Sequence, residues 1–136
     1  MQGPGYQEEG SKKSSVELNS PEITAHLEKK IYAYRQQDIK AGRLVYNDDY
    51  KCFNAVLITV DQFRDLLQDG LQCHYCSRET NIIPVKVRDP AMMTLDRICN
   101  TKCHTFINVV ISCYSCNVLR SNDLSSTAFK GIFKRC

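Results

Sequence analysis

The apolar positions of this chain change period along its length, and each change marks an element. From Ser20 onward Ile23, Leu27, Ile31 and Tyr34 recur at spacings of four, four and three, one stripe of a helix. Ser20-Pro21-Glu22 supplies a capping hydroxyl, a proline at the first helical position and an acid in the first turn, and Gly42 is a plausible stop. The opposite face carries Lys29, Lys30, Arg35 and Lys40, either a solvated face or a phosphate contact. A second helix is expected at Thr59, with Gln62 completing a capping box and Ile58 and Phe63 forming a hydrophobic staple. Phe63, Leu66 and Leu67 form its buried face, and Gly70 ends it.

The period then falls to two. MTLDRI (93–98) alternates as a strand does, and NVVIS (108–112) is a β-branched run suited to a buried one, with 99–107 connecting them. YSCNVLRSN follows as a short helix, and Ser125 caps a last one with Leu124 and Phe129 as its staple. Residues 81–92, interrupted by Pro84 and Pro90, read as irregular. Residues 1–19 have almost no large aliphatics and read as a flexible tail. The expected class is α+β: the tail, a helical region over 20–70, and a small domain over 71–136.

At 136 residues the chain allows one domain plus a tail. It has no apolar run near the roughly 18 residues of a membrane span, so no membrane contact is expected, and MQGPGYQEEG shows no secretory signal. A net charge of +3 permits a nucleic-acid partner without requiring one. The eight cysteines change the picture most. In an intracellular, reducing compartment clustered cysteines bind metal more often than they pair. Cys73/Cys76 and Cys113/Cys116 form two C-x-x-C turns, whose sulfurs can complete a tetrahedron around one structural zinc. Such a four-thiolate site is closed and leaves no position for exchange or catalysis. The 36 residues between the pairs leave room for a strand–loop–strand insert.

Within that insert Asp96 lies on the first strand and Asn117 on the following helix, so a carboxylate and an amide can converge on one hard divalent cation. Asn108, at the start of the second strand, could brace the loop through its side-chain amide. Such a cation, Mg²⁺ or Mn²⁺, can polarise a phosphodiester and stabilise the leaving oxygen.

With these residues in order, TLDRICNTKCHTFINVVISCYSCNVLRSND resembles the HNH (ββα-metal, His-Me finger) endonuclease motif. It is closer still to the LDRIDN-x-KGH-x-x-x-NVV-x-C-x-x-CN variant of phages and large DNA viruses. YRQQDIKAGRL, ITVDQFRDLL and CHYC extend the resemblance over about residues 30–135. The resemblance implies a metal-dependent DNA endonuclease in which Asp96 and Asn117 hold the catalytic cation and Asn108 is the middle Asn of the name. It also implies that Cys73, Cys76, Cys113 and Cys116 hold zinc.

Departures stand beside the matches. Arg97 occupies the place of the general-base His, and a guanidinium, always protonated, cannot act as base; it could instead clamp the scissile phosphate. Cys99 and Cys103 replace an Asp and a Gly, and with His104 they could form a second metal group or be packed thiols. His104 in the connecting loop is the first alternative base; His74 is a weaker one, and His26 reads as a surface residue. Arg97, Lys102, Arg120, Lys130, Lys134 and Arg135 are the expected phosphate contacts. Three functions follow: an active endonuclease, an inactive HNH fold that binds nucleic acid, or a component assembling with partners in a virus particle. No roles are assigned to Cys52 and Cys136.

Overall fold

A computed structural model of the chain describes residues 18–122, with side chains described to Arg120. The expected final helix at Ser125, the basic residues Lys130, Lys134 and Arg135, Cys136 and the tail before Leu18 lie outside the described residues. Helix α1 runs Pro21–Lys40, with the Ser20 hydroxyl accepting from the Ile23 amide as its cap. Gly42 follows with φ +78°, the left-handed conformation that ends helices and favours glycine. Helix α2, Val60–Gln68, starts at a complete capping box: Thr59 and Gln62 each accept the other's backbone N–H.

The antiparallel hairpin joins β3, Met93–Arg97, to β4, Val109–Cys113, with Leu95 opposite Ile111 and Asp96 opposite Val110. A 3₁₀ turn over Phe106–Asn108 leads into β4, and helix α3, Tyr114–Asn122, follows directly. A second sheet was not legible in the periodicity. It pairs β1, Tyr46–Asn47, with β2, Cys52–Phe53, around a turn in which Lys51 takes φ +57°. The described residues thus form a small α+β protein with three α-helices and two two-stranded antiparallel sheets.

One apolar core unites the regions on either side of residue 70. Ile23, Leu27 and Tyr34 of α1 and Ile58, Phe63 and Leu67 at α2 pack with Met93 and Leu95 of β3 and Val109 and Ile111 of β4. The core starts earlier than composition suggests, because Leu18, read as part of the tail, is buried in it. Arg64 ties the two helices at their starts, donating to the Leu18 carbonyl at 2.9 Å and to the Thr24 hydroxyl at 2.5 Å. A satellite cluster of Leu44, Leu57 and Cys103 lies against Phe53 and Ala55. Among the described residues no helix is long and apolar enough to cross a membrane.

Since strand side chains alternate, Met93 and Leu95 face the core while Thr94 and Asp96 face the other way. That polar face is nevertheless buried, because α3 and the first C-x-x-C turn cover it.

Candidate metal centre and the Asp96 site

The two C-x-x-C turns meet. The sulfurs of Cys73, Cys76, Cys113 and Cys116 all lie within 4.8 Å of one another, and the Cys76 and Cys113 sulfurs are 3.8 Å apart. Tetrahedral Zn–S bonds of about 2.3 Å require sulfur separations of about 3.8 Å, so the cluster could hold a metal such as zinc. Each turn also aims an amide at its first sulfur: Tyr75 N–H at Cys73 and Cys116 N–H at Cys113, both 3.4 Å. Ser77 closes the first turn at φ +67°, and the His74 amide fastens it to the Ile111 carbonyl of β4.

Charge on this cluster is unevenly held. Burial raises the Cys73 thiol, but donors from Cys76, Cys113 and Tyr75 outweigh it and bring it down to about 6. Burial drives Cys113 and Cys116 upward, and the neighbouring Cys73 charge adds to the rise. Four sulfurs this close cannot all ionise without a cation among them, and a bound metal supplies it.

On the adjoining face of the hairpin Asp96 is buried at 5% exposure and both its oxygens are engaged. Arg120 Nη1 donates to Oδ1 at 2.7 Å, and the Tyr75 hydroxyl donates to Oδ2 at 2.8 Å. The other arm of Arg120 reaches the Asn100 side-chain oxygen at 2.7 Å. The pairing follows from two periodicities. Thr94 and Asp96 are successive same-face positions of β3, and Asn117 and Arg120 are one helical turn apart on α3. Asn117 therefore meets Thr94, donating to its hydroxyl at 3.0 Å, while Arg120 meets Asp96. Burial raises the Tyr75 phenol, and the Asp96 charge raises it further, so the hydroxyl keeps its proton and donates.

Asn108 braces the connecting loop with its whole amide. Its oxygen accepts from Cys99 N–H at 2.8 Å, and its nitrogen donates to the carbonyls of Cys99, Lys102 and Cys103. Arg97 turns into the same loop and donates to the carbonyls of Asn100 and Lys102.

His104 is 4% exposed, with both its amide and its Nδ1 on Asp38 Oδ2, at 2.9 and 2.8 Å. Its ring stacks on Tyr34, centroids 4.4 Å apart, and the Tyr34 hydroxyl in turn accepts from the Leu95 amide. Arg43 holds the other Asp38 oxygen at 2.8 Å. Burial lowers the pKa of His104 from its ordinary value of 6.5, against the pull of Asp38. Burial would raise Asp38, but hydrogen bonds from His104 and Arg43 prevail and hold it below 3.8.

The structure thus brings Asp96 and Asn117 to one face and places Arg120 on the carboxylate. Among the described residues only the four cysteines gather three or more Cys, His, Asp or Glu ligands around one point. A Mg²⁺ or Mn²⁺ ion does not fit at Asp96 in this arrangement, since it would have to displace Arg120 or Tyr75. Nor do Cys99, Cys103 and His104 form a second metal group: Cys99 is disulfide-bonded, contrary to the expectation of a reduced thiol, and His104 is taken by Asp38. Cys103 is a buried free thiol and Cys52 an exposed one. His74 is exposed on the first turn, edge-on to Tyr75, while His26 is half-buried, its Nε2 without a hydrogen-bond partner. Arg120, expected on a phosphate, is 8% exposed because Asp96 draws it inward.

Tyr75, Asp38 and Arg43 were missed as site residues. Nothing local signals the Asp38–His104 contact, which spans 66 positions; for Tyr75, its place between two cysteines was the available hint. No protein-family model, curated protein or solved structure matches this chain. What its fold and site define is a class: a small α+β protein whose hairpin and helix close over a four-cysteine cluster able to hold a metal.

Proposed function

We propose that this chain is an HNH-type ββα module, stapled by one zinc ion, that binds nucleic acid through its phosphates and does not cleave it. The observation that carries the reading is the state of Asp96, with Arg120 on one oxygen and Tyr75 on the other. The other residues expected in a cleavage site also make internal contacts: Asn117 Nδ2 donates to Thr94, Arg97 donates to loop carbonyls, and buried His104 pairs through Nδ1 with Asp38. The module character is supported by the strand–strand–helix order that follows the first C-x-x-C turn, with the second turn at the junction of strand and helix.

Nucleic acid is the partner favoured by charge. Lys102 is exposed on the connecting loop, and half-buried Arg97, which donates to the carbonyls of Asn100 and Lys102, adds a second positive charge there. A loop of this kind meets phosphates without reading bases. Titrating a labelled DNA duplex with the zinc-loaded chain tests this. Binding should appear at low salt and weaken linearly on a log–log plot, by about 0.9 in slope per phosphate contacted. Absence of binding at low salt would contradict it.

A second reading, a working endonuclease, is favoured by one feature: Asp96 on β3, Asn108 in the 3₁₀ turn just before β4 (not on the strand itself, as expected) and Asn117 on α3 keep the HNH order. It requires Asp96 to exchange Arg120 for a divalent cation when substrate binds. Asp96-dependent nicking of plasmid DNA would establish it.

A further inference from the structure

We infer that the guanidinium of Arg120 is a built-in substitute for a divalent cation at Asp96, so that the hairpin–helix face of this protein is closed to Mg²⁺ and Mn²⁺. The inference rests on the HNH-type reading only for where such a cation would be expected. The contact itself has three properties of a replacement. It is direct and charge-matched, with Nη1 2.7 Å from Oδ1 and both side chains under a tenth exposed. It is held from the far side, where Nη2 meets the Asn100 oxygen at 2.7 Å, so the guanidinium is fixed between two loop and strand acceptors. And it is sealed by Tyr75, whose proton occupies the other carboxylate oxygen. A hard divalent ion needs several oxygens at once. Here the amide oxygen beside Asp96 on the same guanidinium, that of Asn100, is taken by Arg120 Nη2, and Asp96 belongs to no group of three or more Cys, His, Asp or Glu ligands among the described residues. A monovalent fork satisfies one buried carboxylate without needing that further set, whereas the ion would have to displace Arg120 or Tyr75 to enter.

The test is Mn²⁺ binding to the full-length, zinc-loaded chain, read from the loss of the free-ion paramagnetic resonance signal. The wild type should leave the signal unchanged at millimolar Mn²⁺. Arg120→Gln, checked for zinc content and folding, should take up about one Mn²⁺, and Asp96→Asn added to that variant should abolish the uptake. Uptake by the wild type that Asp96→Asn removes would overturn the inference, as would a folded Arg120→Gln protein that binds none. Should Arg120→Gln fail to fold, the wild-type melting temperature decides: it should stay within about 1 °C on adding Mg²⁺. A rise that Asp96→Asn cancels would overturn the inference. DNA binding enters none of these readouts, so the failure of the functional proposal would be seen separately.

Discussion

At Asp96 two opposite charges have left water together, and stability depends on keeping both. Removing one partner of such a buried pair strands the other, at a cost of about 3–5 kcal/mol. Arg120→Met and Asp96→Leu should each destabilise by that order in urea titrations, and the double variant should recover most of the loss. Tyr75→Phe removes a hydrogen bond to a charged oxygen and should cost about 1.5–3 kcal/mol. The buried Asp38–His104 pair predicts a pH dependence. His104 titrates below its ordinary 6.5 when folded, so the unfolded chain takes up protons first and stability falls as pH drops from about 6.5. Half-buried His26 is lowered also, by burial and by Lys30 and Lys29, and contributes to the same window. Asp38, held below 3.8, adds its stability above that value and loses it only in stronger acid. Melting temperatures between pH 4 and 8 check this: wild type should show the decline, and His104→Gln should show a shallower one. A melting temperature constant across pH 5–7 would contradict it.

The elements themselves were largely legible. Ser20-Pro21 and Thr59 with Gln62 mark helix starts by local chemistry, and local chemistry is what sequence displays. Thr59→Ala should cost about 1 kcal/mol, measurable as a lowered denaturation midpoint. The β3–β4 hairpin was visible in its period of two, and the four cysteines in their spacing. The β1–β2 ribbon escaped because two-residue strands, mostly exposed, carry no period. Partnerships at the site escaped for a different reason. Arg120 is indistinguishable in sequence from a surface arginine, and only the register of α3 across β3 turns it toward Asp96. Asp38 sits on α1 where its polar character suggests solvent, yet it is fully buried because the loop returns His104 and Arg43 to it. The chemistry of single residues could be read in advance, whereas which of them neutralise one another depends on tertiary packing.

For the molecule as a whole, the metal centre and the core are one unit. The first C-x-x-C turn is fastened to β4 by the His74 amide and to Asp96 by Tyr75. Zinc removal should therefore loosen the hairpin face as well as the cysteines. Metal binding to a four-thiolate site is worth on the order of 10 kcal/mol at neutral pH, comparable to the stability of a whole domain. Purified protein should carry about one zinc, and a strong chelator or Cys113→Ser should abolish cooperative unfolding; folded protein without metal would contradict this. Whether Asp96 is held in internal contacts and does no chemistry, as proposed, is read most directly from plasmid nicking. Zinc-loaded wild type and Asp96→Ala should be compared on the same DNA across Mg²⁺, Mn²⁺ and metal-free buffer. Indistinguishable rates in every buffer are expected, with DNA still bound at low salt. Cleavage by the wild type that disappears in Asp96→Ala would show that Asp96 is free to do chemistry, and would contradict the claim.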